Sequence, residues 1–430
     1  MFCYTIVYTP KRSVTPSLLH SLKKNTPELL KIEQLKHLLP NRMKKYALSL
    51  WMALCAITLS AQQSHVNVDW APQKNTENIT PFSCNVISPE VHDDHTVTFR
   101  LRAPKAQEVL LTGNMFVGSD ARKRVPFTKD ADGLWTLTIG PLAPEIYFYY
   151  FIIDGVQNVD PNNTYIGHAA MPAFSILHVH GDEPAFYDAK PDVAHGTLTT
   201  HYYYSEVTKG VRDLIVYTPA DYDPKKKYPT LYLMGGSGDL TETWVMHGKA
   251  NFILDNLIAE GKAEPMIVVF PNDQMVTRSH PKHTELAFPL MEEEYRKCII
   301  PYIESRYSVI KDRHARAISG LSMGGRLSQY VGFRCLDLFA NFGLLSSAID
   351  IKETPALYDK DINDRIDYLF VGAGTHETGF MARHEKLHAE LDKMGIKHDY
   401  YVGSNGAHDL VAWKHLLYYR FLPGLWRNLK

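Results

Sequence analysis

A Gly-x-Ser-x-Gly motif at residues 320–324 constrains the fold of this 430-residue chain more than any other feature of its sequence. The apolar residues 315–318 precede the motif with the composition of a strand, and residues 325–333 follow it with helical character. Glycines on both sides of a serine are typical of a tight turn between a strand and a helix, which raises the serine hydroxyl above the end of a sheet. The motif therefore predicts that Ser322 is a nucleophile at such a turn.

Short apolar segments alternate with helical ones through residues 200–430. The strand-like segments lie at 214–217, 230–234, 266–270, 315–318, 342–345, 368–371 and 400–402. The helices are expected at 251–260, within 290–307 and at 380–394. We expect His384, His388 and His415 on helix surfaces. Because apolar strands that alternate with helices are typical of a mainly parallel sheet covered on both faces, the predicted fold class is α/β. Together with the motif around Ser322, this pattern predicts an α/β-hydrolase domain.

Residues 82–182 have an all-β pattern instead. Residues 96–101 alternate with period two, and the aromatic strand at 147–153 ends at an Asp-Gly turn. Short strands separated by Asp-Gly and proline turns predict a small all-β sandwich of about 100 residues ahead of the hydrolase domain. We interpret Trp135 and the aromatic residues at 147–150 as core and sheet-face residues rather than as a sugar-binding surface.

The N-terminal part of the chain carries a localisation signal. Met43, two lysines and a mostly apolar run that ends at small residues predict a signal peptide at 43–61, too short to span a membrane comfortably. Because a secretory signal begins a chain, we interpret residues 1–42 as a gene-model extension, and 62–81 and 183–199 as linkers. We therefore expect a secreted or periplasmic protein with no membrane span in its mature form.

Charge and cysteine content narrow the possible functions. The formal net charge of −1 gives no electrostatic reason to expect binding to nucleic acid or to an anionic membrane. The five cysteines show no Cys-x-x-Cys spacing, which argues against a zinc site or a redox pair. After removal of a leader, Cys84, Cys298 and Cys335 remain, so at most one disulfide can form. We expect neither a metal nor an organic cofactor.

A nucleophilic serine needs a base, and the base needs an acid that orients its ring. His408 is the candidate base because it lies in a turn-rich loop after the last predicted strand and before the final helix. Glu377 is the candidate acid because it is the first carboxylate after the strand at 368–371. Asp350, after the preceding strand, stays open as the alternative acid. With Ser322, these residues follow the α/β-hydrolase order of nucleophile, acid and histidine.

Acyl transfer also needs N–H donors for a tetrahedral oxyanion. The backbone N–H of Met323 is one candidate. The second is expected from the glycine-rich loop at 234–239, where either Gly236 or Ser237 would supply it. Ser237 and Trp244 are also the residues that we expect to contact the substrate.

With these motifs in place, residues 200–430 resemble the esterase D group, also described as carbohydrate esterase family 1. The resemblance is carried by segments 231–244, 250–257, 265–272, 300–304 and 317–325, and by the histidine loop at 406–409 with Trp413. It implies that Ser322, Glu377 and His408 form a catalytic triad. Two positions depart from the family pattern: Gly235-Gly236 stands where His-Gly is common, and the acid is glutamate rather than aspartate.

Residues 82–182 resemble the early-set immunoglobulin-like modules related to carbohydrate-binding module family 48. Such a module ahead of such an esterase domain is similar to the feruloyl esterases of gut and rumen plant-polysaccharide degraders. The resemblance implies a secreted serine esterase that acts on feruloylated or acetylated xylan and arabinoxylan oligosaccharides. Acetylxylan esterase and enterochelin esterase of the same group stay open as alternatives, as does a non-catalytic carbohydrate-binding protein.

Overall fold

The computed structural model describes residues 86–167, 173–277, 279–347 and 349–426. The predicted signal peptide, the segments 1–42 and 62–81, and Cys84 lie outside these residues. Across the four described ranges, no helix has the length and apolar character needed to cross a membrane. Cys298 and Cys335 are both buried free thiols.

The N-terminal part of the described chain is a pair of antiparallel sheets. The strands are β1 (Glu90–Val91), β2 (Val97–Arg102), β3 (Val109–Gly113), β4 (Val125–Pro126), β5 (Thr128–Lys129), β6 (Leu134–Ile139), β7 (Glu145–Ile153), β8 (Val156–Asn158), β9 (Ile166–Gly167) and β10 (Phe174–Val179). One sheet has the order β1-β2-β6-β5, and the other has the order β4-β3-β7-β10-β9 with β8 beside β7. Their inner faces share a core that contains Phe99, Trp135, Tyr149 and Phe151. The interpretation of Trp135 as a core residue is confirmed.

The C-terminal part is built on an eight-stranded mixed sheet. Its strands are β11 (Thr197–Ser205), β12 (Gly210–Thr218), β13 (Thr230–Met234), β14 (Ile267–Pro271), β15 (Arg316–Leu321), β16 (Asn341–Leu345), β17 (Tyr368–Ala373) and β18 (Asp399–Val402). The order is β11-β12-β14-β13-β15-β16-β17-β18. The β11–β12 and β12–β14 pairs are antiparallel, and the other pairs are parallel. This sheet confirms the predicted fold class.

Helices cover both faces of this sheet. They are α1 (Thr243–Met246), α2 (Ala250–Ala259), α3 (His283–Glu294), α4 (Ile300–Arg306), α5 (Met323–Arg334), α6 (Ile362–Arg365), α7 (Thr378–Lys393), α8 (Leu410–Leu416) and α9 (Leu422–Gly424). One apolar cluster packs α3, α4, α5 and α7 against the sheet, and a second packs α2, α8 and α9 against it. Because both faces are covered, β13–β16 are buried along their whole length, which explains their nearly continuous apolar sequences.

The helix expected within 290–307 is part of a longer helical stretch. It begins at His283, passes through a π-helical segment at Tyr295–Ile299 and ends with α4. Pro301 lies in the first turn of α4, directly after the π-helical segment. The sequence thus located residues 290–306 of this stretch and missed residues 283–289.

The expectation for His384 was wrong, because its side chain is fully buried. Phe380 precedes it by four residues and Leu387 follows it by three, so the three side chains share the inward face of α7. Burial, and then the nearby His408, lower the pKa of His384 to about 3, which keeps its ring neutral. His388 and His415 are partly exposed, with 34% and 27% of their side chains accessible.

The segment expected as a linker at 183–199 packs against the hydrolase sheet and its helices. Tyr187 is 2% exposed and belongs to the same apolar cluster as α2 and α8. The side-chain amide of Asn256, in α2, donates hydrogen bonds to the carbonyls of Phe186 and Asp188 at 2.9 and 3.0 Å. The connection between the β-sandwich and the hydrolase sheet is therefore held by buried contacts.

Candidate active site

Ser322 lies at a strained turn between β15 and α5. Its backbone has φ 52° and ψ −112°, a conformation that non-glycine residues rarely adopt, and its N–H donates to the Leu345 carbonyl at 2.9 Å. A Cβ on Gly320 would meet the backbone of Gly324, and a Cβ on Gly324 would meet the carbonyl oxygen of Gly235. The glycines of the motif are therefore required by close backbone contacts around the serine.

The structure brings Ser322, His408 and Glu377 into one hydrogen-bonded chain. The Nε2 atom of His408 lies 2.9 Å from the Ser322 Oγ atom, and its Nδ1 atom lies 2.8 Å from the Glu377 Oε2 atom. Because a carboxylate only accepts, Nδ1 carries the hydrogen and donates to Glu377. The Nε2 atom is then the acceptor for the serine hydroxyl, which is the arrangement of a general base.

Glu377 is anchored on both oxygens. Glu377 is 3% exposed, and its Oε1 atom accepts hydrogen bonds from the Ser346 hydroxyl at 2.5 Å and from the Gly374 N–H at 2.8 Å. Ser346 follows β16 directly, and Glu377 is the N-cap residue of α7. These contacts fix the carboxylate so that its second oxygen faces His408.

Asp350, the alternative acid, lies elsewhere. It is exposed, and its carboxylate accepts from the Lys352 N–H at 3.0 Å and from the Lys386 ammonium at 3.3 Å. By accepting from the Lys352 N–H, Asp350 caps the N-terminus of a short 3₁₀ helix, Ile351–Glu353. Of the two candidate acids, only Glu377 contacts His408.

Aromatic side chains surround the His408 ring. Phe380 stacks on one face, with ring centroids 3.8 Å apart and planes inclined by 11°. Trp413 approaches at 5.0 Å with its plane nearly perpendicular. The following residue, Asp409, turns away and caps α8 by accepting from the N–H groups of Val411 and Ala412. The imidazole is therefore held between apolar surfaces, with 31% of the side chain exposed.

The glycine-rich loop after β13 lies beside the nucleophile, but the structure changes the assignment of its donors. The Gly236 N–H donates to the Asp239 carboxylate at 2.6 Å. Gly236 was one of two candidates for the second oxyanion donor, and this internal hydrogen bond removes it. Within the described ranges, no acceptor is bonded to the backbone N–H of Met323 or of Ser237. These two amides are therefore the candidates that the geometry leaves.

The expectation that Trp244 contacts the substrate was wrong. Its side chain is 1% exposed, and its indole N–H donates to the Met234 carbonyl at 2.8 Å. Met234 is the last residue of β13, so Trp244 supports the base of the glycine-rich loop from within the core. Ser237 is partly exposed and stays a prediction for substrate contact.

Three residues near the site carried little signal in the sequence. Ser346 follows β16 at the same edge of the sheet as Ser322, so its position after a predicted strand was the available indication. Phe380 was expected on the apolar face of its helix, but its stack on His408 was not. Asn114, from the loop after β3, donates its side-chain amide to Asp409 at 3.1 Å. No local sequence pattern indicates that contact, because the two residues are 295 positions apart.

Known proteins are similar to this chain in sequence and in fold. The putative esterase family matches residues 205–421. An endo-1,4-beta-xylanase/feruloyl esterase from Xylanibacter ruminicola is 31% identical over 347 residues, which are 76% of this chain and 44% of that protein. This chain thus spans less than half the length of that relative.

Two solved structures share the fold. A CE1 ferulic acid esterase from Anaeromyces mucronatus has a TM-score of 0.50 and 24% identity, with 56% of this chain and 94% of that chain covered. The enterobactin esterase of Shigella flexneri has a TM-score of 0.59 and 16% identity, with 77% of this chain and 93% of that chain covered. At these identities both show the fold alone. From the family match and the α/β-hydrolase fold, we conclude that the chain belongs to the putative esterase family, and the predicted class of carboxylic ester hydrolase is confirmed at the level of that family.

Proposed function

We propose that this chain is a serine feruloyl esterase that releases ferulic acid from xylan-type polysaccharides. The observation that carries the proposal is the hydrogen-bonded chain from Ser322 through His408 to the buried Glu377. The feruloyl specificity is supported by the Xylanibacter relative, whose name joins xylanase with feruloyl esterase activity. Ser322 is the nucleophile, His408 the base and Glu377 the acid in this proposal.

The first half of the reaction forms an acyl-enzyme. The Ser322 oxygen attacks the ester carbonyl while its proton passes to the His408 Nε2 atom. The tetrahedral intermediate then collapses, its bond to the sugar oxygen breaks, and His408 returns the proton to that oxygen. The sugar leaves as an alcohol, and the feruloyl group stays on Ser322 as an ester.

The second half repeats these steps with water. His408 takes a proton from water, the hydroxide attacks the acyl carbonyl, and the proton returns to Ser322 as ferulic acid leaves. Glu377 stabilises the imidazolium form of His408 in both halves and keeps its own charge. The backbone N–H groups of Met323 and Ser237 would donate to the oxyanion in each tetrahedral intermediate.

The N-terminal assignments belong to the same proposal. The β-sandwich within 82–182 would be an immunoglobulin-like module related to carbohydrate-binding modules, ahead of a hydrolase domain at 200–430. The signal peptide at 43–61 would send the protein to the periplasm or the cell exterior. There it would meet feruloylated arabinoxylan fragments that have not entered the cell.

Hydrolysis by the purified chain tests the proposal. Methyl ferulate, feruloylated arabinoxylan oligosaccharides and 4-nitrophenyl acetate are compared, with Ser322→Ala as the matched control. We expect turnover of both feruloyl substrates, lost in the control. Turnover of the acetate alone would move the substrate to acetylated xylan and overturn the feruloyl assignment. No turnover that depends on Ser322 would overturn the feruloyl assignment and leave a siderophore esterase or a non-catalytic carbohydrate-binding protein as the alternatives.

A further inference from the structure

Three potential metal ligands lie together where α7 ends and β18 begins, apart from the Ser322 site. They are His388, Asp392 and His398, and one ligand atom from each lies within 4.8 Å of those of the other two. His388 and Asp392 are four residues apart in α7, so they project from the same helix face. His398 is the last residue before β18. The cluster therefore joins two successive elements of the hydrolase domain.

The His398 ring is oriented for ligation. Its Nδ1 atom lies 2.8 Å from the Ile396 carbonyl oxygen, which only accepts, so Nδ1 carries the hydrogen. The lone pair of the neutral ring is then on Nε2, which points at the His388 Nδ1 atom 2.8 Å away. Histidines that ligate metals commonly donate their other N–H to a backbone carbonyl in this way, which fixes the tautomer.

The His388 ring is the middle of the cluster. It stacks on Tyr400, with centroids 4.1 Å apart and planes inclined by 6°, so its orientation is restricted. Because His398 accepts at Nε2, the His388 Nδ1 atom carries the hydrogen that lies between the two rings. In a neutral His388 ring the Nε2 atom then has no hydrogen, and it lies 3.5 Å from the Asp392 carboxylate. Two acceptors that face each other are unfavourable, so either a proton on the His388 Nε2 atom or a metal ion is needed between these groups.

We propose that His388, Asp392 and His398 bind one divalent transition-metal ion, of which zinc is the representative. Two imidazoles and one carboxylate favour such an ion over calcium or magnesium, which prefer oxygen ligands alone. To bind one ion together with both partners, the His388 ring would be turned over by about 180°, which places its Nε2 atom between His398 and Asp392 in place of Cε1. The ion would then replace the hydrogen between the two rings. Because 34% of the His388 side chain and 63% of the Asp392 side chain are exposed, water can complete the coordination.

The ion would have a structural role. It would join the C-terminal turn of α7 to the start of β18, across the turn at Gly395, whose φ is 70°. The other end of α7 carries Glu377 as its N-cap. The ion itself would not contact the ester, so this inference stands independently of the proposed esterase activity.

A second histidine cluster provides an internal comparison. His178, His180 and Asp188 also bring ligand atoms within 4.8 Å of one another. There, burial and then the charges of His180, Lys414 and Lys249 lower the pKa of His178 to about 3. The lysine charges oppose a dication as they oppose a proton, so this cluster is the weaker candidate.

Metal binding to the full chain tests the proposal. The chain is purified without a polyhistidine tag, stripped with a chelator and titrated with zinc chloride in a calorimeter, and with cobalt(II) in a spectrophotometer. We expect zinc to bind at this cluster and cobalt(II) to give visible absorption. His388→Ala and His398→Ala should each lower the affinity at least about tenfold, as expected for loss of a ligand. His180→Ala should leave it unchanged.

Two further measurements guard against misfolded variants. Circular dichroism checks that each variant keeps the native spectrum, and Asp392→Asn removes a ligand charge at an exposed position where folding is not at risk. Zinc should raise the thermal midpoint of the native chain and raise it less in Asp392→Asn. The proposal is overturned if no saturable binding occurs, if both histidine variants keep the native affinity, or if His180→Ala is the variant that loses it.

Discussion

The side-chain amide of Asn114, in the β-sandwich, donates a hydrogen bond of 3.1 Å to Asp409, the residue that follows His408. Asn114 is itself fixed, because its side-chain oxygen accepts from the Phe148 N–H at 2.7 Å. Asp409 uses its other oxygen to cap α8. A residue of the β-sandwich therefore helps to hold the loop that carries the proposed catalytic base.

Asn114→Ala should lower kcat/KM about tenfold, since a hydrogen bond to a buried charged group contributes roughly 1.5–3 kcal/mol. Asn114→Asp should be worse at neutral pH, because two carboxylates in contact cannot easily both be ionised. Steady-state hydrolysis of an ester substrate measures both effects. Asn158→Ala, an exposed amide elsewhere in the β-sandwich, is the matched control and should keep native activity. Equal activity of Asn114→Ala and the native chain would show that this contact does not position His408.

Glu377→Gln should lower kcat by about 10³–10⁴, because the amide would favour the wrong tautomer of His408. Asp350→Asn should stay within about twofold of the native chain, as expected for a surface position. The two variants are compared by kcat under saturating substrate. A large loss in Asp350→Asn with little loss in Glu377→Gln would reverse the assignment of the acid.

Phe380→Ala should lower kcat/KM about three- to tenfold, because an aromatic stack contributes about 0.5–1.5 kcal/mol and its removal exposes one face of the His408 ring. Phe380→Tyr retains the ring and should recover most of the activity. The pH profile of kcat/KM is recorded for both variants. If alanine and tyrosine behave alike, the stack has no role in positioning the base.

The buried pair of Glu145, in β7, and Lys414, in α8, predicts an acid-sensitive fold. Burial opposes ionisation of Glu145, but the Lys414 charge and hydrogen bonds from His415 and Lys414 outweigh it and lower its pKa from 4.5 to about 2. A carboxyl with a lowered folded-state pKa stabilises the fold above its unfolded pKa and loses that contribution as pH falls through the folded value. Thermal midpoints should therefore fall between about pH 4.5 and 2.

Glu145→Gln isolates this pair. At neutral pH it leaves the Lys414 ammonium buried without its partner, which should cost on the order of 3–5 kcal/mol. The double variant Glu145→Gln/Lys414→Met removes both charges and should be more stable than Glu145→Gln. Thermal unfolding from pH 2 to 7 compares the three proteins. If the thermal midpoint of the double variant falls between about pH 4.5 and 2 as much as that of the native chain, other groups cause the loss of stability in acid.

Local patterns predicted the nucleophile, the base and the acid as candidates, because each depends on short-range features. The motif around Ser322 specifies its own turn, His408 lies in a loop defined by its neighbours, and Glu377 follows the end of a strand. Seven of the eight strands of the sheet were predictable for the same reason, since they are apolar and most are separated by helices. The edge strand β11 was missed, because it is polar and largely exposed. These features require only the order of elements along the chain.

Other features depend on contacts that short patterns do not encode. Asn114 contacts Asp409 because two parts of the chain pack together, and no periodicity relates them. Gly236 was a reasonable oxyanion donor until the structure placed Asp239 against its N–H. His384 differs from these cases: the positions of Phe380 and Leu387 already placed it on the inward face of α7, so the sequence contained the correct answer.

Titration of the full chain with a fluorophosphonate probe, followed by peptide mass spectrometry, tests the central claim most directly. The account predicts one label per chain, located on Ser322, with labelling abolished in Ser322→Ala and at least about 10²-fold slower in His408→Ala. Label on another serine, or equal labelling of the native chain and Ser322→Ala, would contradict it.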